Sequence, residues 1–287
     1  NERMVYLITQ TLNGLFSAAL LFLIAGGLTL VFGVMRIVNI AHGSFYMLGV
    51  YVAFSVVTRT HSLLLGALAA MLVVGAIGFV MQRLFLRRFA SQPLPEMMMT
   101  MGFALLLRDG AFLVWGGDPF ALPYPPFLQG SFEFHDVVFP VYRLFVILVA
   151  AAVGALLGIL NDKTLIGAKL RAAVDDPEMA AGTGIPVALL SGLVFAVGAA
   201  LAAFGGVMGG PILGGYSGMD FDLLPLAFVV VIIGGMGSLR GALIGSIVVG
   251  MIDNFGKALV PELSYFTLFA PMVIMLAIKP TGLYGRN

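Results

Sequence analysis

Residues 179–219 form a run of 41 amino acids without a single Asp, Glu, Lys or Arg. A water-facing surface cannot be built from such a run, whereas a helix needs only about 20 apolar residues to cross the hydrocarbon core of a bilayer. Further charge-free windows occupy 4–35, 37–58, 60–82, 144–161, 223–239, 241–252 and 263–278. The window 97–117 is interrupted only by Arg108 and Asp109. All these windows are apolar on every side. Barrel strands alternate apolar and polar residues instead, so a membrane β-barrel is excluded. The composition agrees: 60% of the chain is hydrophobic and 10% charged, against about 25% charged in soluble domains. An ordinary soluble enzyme and a disordered chain are both ruled out. The 37 glycines suit membrane helices that approach one another closely. A net charge of +1 gives no footprint for nucleic acid. There is no cysteine, hence no disulfide framework, thiol nucleophile or cysteine zinc site. The histidines, at 42, 61 and 135, have no metal-ligand spacing, so no metal site is expected. No run has the form of a cleaved signal peptide.

Basic residues set the orientation. Arg83, Arg87 and Arg88 place the polar stretch 83–96 in the cytoplasm, and Lys163, Lys169 and Arg171 place 162–178 there too. The proline-rich stretch 116–140 then lies outside, as does the N-terminus. The last third allows two arrangements. Residues 223–257 form one broken pass, giving eight helices, or they turn at 234–240 and return, giving nine with the C-terminus inside. The distribution of Lys and Arg favours nine by a margin too small to decide.

Four segments interrupt the apolar pattern. In 33–53, GVMRIVNIAHGSFYMLGVYVA, Arg36, Asn39 and His42 stand between two spans. Irregular backbone at membrane depth survives only inside protein or along a watery cavity. The segment is either a simple helix hairpin with Arg36 in the cytoplasm or a broken helix lining a path. In 226–250, Gly237, Gly241 and Gly245 form small-xxx-small steps that suit helix packing. Gly234, Gly235 and Gly237 around Met236 also suit a turn. This piece loosely echoes the first, as internal repeats of transporters do. In 164–187, Asp176 is suited to cap a helix, Pro177 to its first position and Glu178 to its first turn. Gly182 and Gly184 are suited to stop it. The spacing predicts a short cytoplasmic helix over 177–181, either a solvated loop helix or a docking element. Lastly, Arg108 and Asp109 sit inside a span. Neighbours in sequence do not face each other on a helix, so each needs its own partner. They lock two helices together or line a path.

Some motifs are absent. No G-x-x-x-x-G-K-[ST] motif is present, so no P-loop binds ATP on this chain. No dinucleotide fingerprint, catalytic triad or acidic proton relay can be assembled, and Asp109 is the only acid placed within a span.

RIVNIAHGSFYMLG at 36–49 resembles the first signature of LivH-type permeases, the membrane subunits of bacterial ABC importers for branched-chain and other hydrophobic amino acids. Ile40 stands where that family commonly has Phe. LRAAVDDPEMAAGTGI at 170–185 resembles the family's cytoplasmic loop, with Thr183 in place of a larger apolar residue. GGMGSLRGALIG at 234–245 resembles its third signature and PTGLYGR at 280–286 its ending. The four matches keep the family's order across nearly the whole chain, and the last favours a cytoplasmic C-terminus.

The resemblance implies an all-α, polytopic transmembrane bundle of eight or nine spans with broken helices and a short cytoplasmic coupling helix. It implies one permease domain over 1–287, with a coupling loop at 162–185 and a periplasmic loop at 116–140, in the bacterial cytoplasmic membrane. It further implies four partners besides the lipid bilayer: a LivM-type permease, two cytosolic ATPases that bind the ATP, and a periplasmic binding protein. No cofactor is expected on this chain. Carried onto 171–184, the family's coupling role falls on Arg171, Asp175, Asp176, Glu178, Ala180 and Gly184. The path candidates are Asn39, His42, Gly43, Gly235 and Gly237, with Arg108 and Asp109. The competing readings are a carrier or channel driven by an ion gradient, which needs no docking helix, and an intramembrane enzyme, for which no nucleophile, metal site or acid pair is found.

Overall fold

The computed structural model describes residues 2–285 except 91, 124 and 135, and only the backbone of residues 134, 264 and 265. His135 and Arg286 therefore lie outside the described residues. Six helices are long and apolar enough to cross a membrane: α1 (Glu2–Met35), α3 (Leu63–Leu84), α4 (Pro93–Trp115), α5 (Val141–Lys163), α8 (Val187–Leu213) and α10 (Leu239–Leu259). Three shorter or more polar helices accompany them: α2 (His42–Thr60), α9 (Met219–Gly234) and α11 (Ser264–Ile278). Two more, α6 (Leu165–Asp175) and α7 (Pro177–Gly182), form the loop between α5 and α8. The fold is an all-α polytopic bundle.

The helices start where side chains can take up free amides. Ser62 caps α3 by accepting from the Leu65 amide, Thr164 caps α6 through Gly167, and Ser238 caps α10 through Gly241. Pro93 and Pro177 stand in the first turns of α4 and α7, where no amide is needed.

The 41-residue charge-free run is not one helix. It takes in the end of α7, a turn before α8, all of α8, and a bend at residues 214–218 leading into α9. Pro186 precedes α8, and Gly214, at φ +74°, ends it. The loop 164–187 also holds more helix than expected. LIGAKLRAAVD forms α6, on which the apolar Gly167 and Ala173 are buried. In the outer loop, Ser131–Phe134 (β1) and Val137–Pro140 (β2) pair as an antiparallel hairpin that the apolar windows did not signal.

The core centres on α8, which packs against α1, α2 and α3. Backbone replaces side chain at these crossings. A methyl group on Gly27 would lie 2.5 Å from the Gly198 carbonyl oxygen, and one on Gly78 would lie 2.7 Å from the Ala199 Cβ. On the other flank of α1, a methyl group on Gly250 of α10 would lie 2.5 Å from the Ala18 nitrogen. With little hydrophobic drive between helices in lipid, close van der Waals contact of this kind holds a bundle together.

Candidate functional site

Helix α1 ends at Met35, and Arg36 takes a left-handed backbone at φ 55°. Residues 36–41 then run without helix to the start of α2. There, the His42 Nε2 donates to the Ile24 carbonyl at 2.8 Å. Ile24 lies about 16 Å of helical rise before the end of α1, so the chain has turned back alongside α1 before α2 begins. The connection between the two helices is thus a six-residue stretch that returns the chain to the level of Ile24. Helices α1 and α2 pack on α8 rather than on each other.

The freed backbone finds partners on α4. The Ile40 amide donates to the Thr100 Oγ1 at 3.2 Å, and the Thr100 hydroxyl donates to the Met97 carbonyl at 2.8 Å. Asn39 is fully buried, and neither its amide nitrogen nor its oxygen has a partner among the described residues. His42 is also fully buried with its Nδ1 unpartnered. A buried polar atom left unmet costs about 1–3 kcal/mol.

Helix α9 begins against the first turn of α2. Gly43 meets the Asp220 backbone closely enough that any side chain there would collide with its carbonyl. The Ser44 hydroxyl donates to the Asp220 Oδ2 at 2.9 Å. Asp220 is 2% exposed and Glu96 of α4 is 3% exposed, so two buried acids join Asp109 within the apolar region. Sequence reading missed Asp220 because it and Asp222 looked like the polar boundary between two windows. The signal that could have found it was the glycine-rich GGYSGMD, which marks a helix restart. Asp220 sits in the first turn of α9 and against that of α2, where the positive ends of both helix dipoles favour a carboxylate.

Arg108 and Asp109 separate, as residues next to each other on a helix must. The Arg108 guanidinium lies 5.0 Å from the centre of the Phe221 ring, next to Asp220 in the first turn of α9. Its contact with Asp109 is a long 3.9 Å, and the Asp109 side chain is 76% exposed. Arg108 thus joins α4 to α9, while Asp109 faces outward.

Gly235 and Gly237 form the turn between α9 and α10 at φ +102° and +80°. The two helices pack antiparallel, Gly234 on Gly241 and Val230 on Gly245, so the chain turns at 235–237 and runs back along α9. The turn is closed by the C-terminal segment, whose Leu283 and Tyr284 amides donate to the Ile233 and Gly234 carbonyls at 2.9 and 3.0 Å. Gly235 and Gly237 are not brought to Asn39 and His42. An apolar groove of about 450 Å³ connects the two breaks, with Val38 lining it from the first and Met236 from the second. Leu28, Phe32, Leu224 and Phe228 line its middle.

On the far side of the α5–α8 loop, Asp176 caps α7 by accepting from the Met179 amide at 2.9 Å. Gly184 takes the left-handed φ of +86° just beyond. Asp175, Asp176, Glu178 and Gly184 are exposed. Ala180 is 3% exposed, so its methyl packs inward rather than facing outward. Arg171 donates to the Asn161 carbonyl and anchors α6 on the end of α5. Leu165, Ile166 and Met179 are exposed large apolar residues beside the acids that the sequence reading did not single out.

The family described as branched-chain amino acid transport system / permease component matches residues 10–276. The high-affinity branched-chain amino acid transport system permease protein LivH of Salmonella typhimurium is 29% identical, over 100% of this chain and 98% of that protein. BraD of Pseudomonas aeruginosa, a permease protein of the same description, is 29% identical over 96% and 95%. The L-arabinose ABC transporter permease protein AraH of Azospirillum brasilense is 24% identical over 98% and 79%. The stretch at 36–41, the capped helix α7 and the glycine turn at 235–237 thus lie within a match that spans nearly the whole chain, and the protein belongs to the branched-chain amino acid transport system permease family.

Proposed function

We propose that the chain is a membrane-spanning permease subunit of an ABC importer in a bacterial cytoplasmic membrane. It forms half of the translocation path for a branched-chain or other hydrophobic amino acid, or a related small solute. It is a transport subunit, not an enzyme, and carries no cofactor of its own. ATP is bound and hydrolysed on two separate cytosolic subunits. A LivM-type permease completes the path, and a periplasmic binding protein delivers the substrate. The family match over 10–276 carries this reading.

The groove favours an apolar substrate over a sugar. Every side chain that lines it is apolar, from Leu28 to Met272, whereas a sugar needs polar partners for its hydroxyls. Asn39, His42 and Gly43 lie buried behind the groove, where they hold the start of α2 in place. Gly235 and Gly237, with Met236, form its cytoplasmic mouth. Arg108 borders the path from α4, and Asp109 faces the partner permease. The protein crosses the membrane nine times, counting α2, α9 and α11 with the six long helices, and its C-terminus is cytoplasmic. The antiparallel α9–α10 pair supports that count.

The α6–α7 loop, within 162–185, is the coupling element. Asp175, Asp176 and Glu178 with Leu165, Ile166 and Met179 offer an acidic and apolar surface to an ATPase. Arg171, Ala180 and Gly184 hold its shape. Exposed apolar residues on a water-facing element mark a docking surface. Replacing Asp175, Asp176 and Glu178 together by Lys is expected to abolish ATP-dependent uptake while membrane insertion and the partner permease are retained. Normal uptake by that variant contradicts the assignment. Buried Asp220 and Glu96 are the features that favour a carrier driven by an ion gradient. Uptake into vesicles that needs a gradient and no ATP is the result that selects that reading instead.

A further inference from the structure

Helix α4 packs one face and leaves the other open. Its buried residues, Glu96, Thr100, Ala104 and Ala111, lie on one side. The opposite side carries Leu94, Met98, Gly102, Leu106, Asp109 and Leu113, spaced four and three apart as on a single helical stripe. Leu113 is 84% exposed, and nothing lies within 4 Å of where a methyl group on Gly102 would stand. Lipid covers an apolar stripe readily, but not one with an acid at its centre. Helix α4 ends at Trp115, and Asp109 lies about 9 Å of helical rise short of that end, inside the roughly 30 Å of hydrocarbon. A lysine or arginine at that depth reaches the headgroups on a long stem, and an aspartate has none. Charged residues within spans face a bundle interior and pair there. The Asp109 side chain is 76% exposed, and its only ion pair among the described residues is the long contact with Arg108. Arg108 itself turns away to Phe221. The bundle that Asp109 faces is therefore completed by another chain.

We propose that this stripe of α4 is the seam with the second permease, and that the helix opposite carries a basic residue, Arg or Lys, at the depth of Asp109. Gly102 lets that helix approach closely, as small residues do in membranes. A second copy of this chain does not fit. Two copies in one membrane are related by an axis along the membrane normal, so residues of the stripe meet their own kind at their own depth. Asp109 would then face Asp109, and like charges set together oppose the contact. The acid thus selects a partner of different sequence. This rests on the importer reading above and names the surface and the charge by which its second permease is recognised.

The test uses the whole assembly, purified in mild detergent from its native membrane through a tag on this chain. A photoreactive phenylalanine analogue is placed in turn at Met98, Leu106 and Leu113 of the stripe, and at the exposed Leu72 of α3 and Leu148 of α5 as controls. Irradiation in the membrane is expected to join the second permease to the α4 positions and not to the controls. Two variants then probe the chemistry. Asp109→Lys sets like charges together and is expected to lower the second permease recovered by about tenfold or more. Reversing the charge of the basic residue at the cross-linked site is expected to restore it. Gly102→Leu fills space that is open in this chain, so it spares the chain's own fold and lowers recovery by several-fold. Cross-links to lipid alone, to a second copy, or from the controls in place of α4 overturn the proposal, whether or not Asp109→Lys inserts. So does full recovery of the second permease with Asp109→Lys, or a loss that the charge swap does not restore. A wild-type chain that purifies with no second permease removes the importer reading, and the seam with it.

Discussion

Single positions decide whether this bundle closes. At Gly49 the nearest neighbour is not a side chain but the Ala203 backbone on α8, which cannot rotate away. Gly102 on α4 has nothing within 4 Å of where a methyl group would stand. Gly49→Ala is expected to destabilise the protein by about 1–3 kcal/mol through overpacking, and Gly102→Ala to leave it unchanged. Thermal unfolding in detergent checks both, and equal stability for the two variants would show that the α2–α8 crossing is looser than described. The individual polar residues were unevenly legible. Asn39 and His42 stood out because each is a polar side chain in an apolar window. Asp220 did not, since an acid at a window edge looks like an ordinary helix boundary until the partner turn of α2 is known. The burial of Ala180 was not legible either: a short helix has an inner and an outer face, and its sequence alone does not say which face the methyl occupies.

Among the elements, the local signals were the most reliable. The Asp-Pro-Glu start of α7 reads directly as a capped helix, because cap, proline and acid act within one turn. The break at 36–41 also showed itself locally, but its return to the level of Ile24 did not, since the His42–Ile24 bond joins residues on different helices. The α9–α10 turn was ambiguous for a physical reason. Gly237, Gly241 and Gly245 satisfy a packed helix and a turn equally well, and only the close fit of Gly234 on Gly241 separates them. Gly237 now has a specific task. Its φ of +80° is one that side chains disfavour, and a methyl group there would sit 3.0 Å from the Gly33 Cα. Gly237→Ala is expected to cost about 1–2 kcal/mol through the left-handed backbone alone and to lower uptake by loosening the mouth of the groove. Unchanged stability and unchanged uptake together would contradict both the turn and its place on the path.

For the molecule as a whole, the natural absence of cysteine allows a clean test of topology. Single cysteines at Asp118, Glu178 and Lys279 are expected to react with a membrane-impermeant maleimide from the outer, cytoplasmic and cytoplasmic faces respectively. Labelling at position 279 from outside would return the count to eight spans. The larger claim is that the energy for transport lies on other chains. The most direct measurement is purification of the tagged protein from its native membrane in mild detergent, with identification and counting of what accompanies it. Two ATPase subunits and a second permease in stoichiometric amounts are expected. A lone oligomer of this chain that moves substrate in vesicles without ATP would contradict the importer assignment outright.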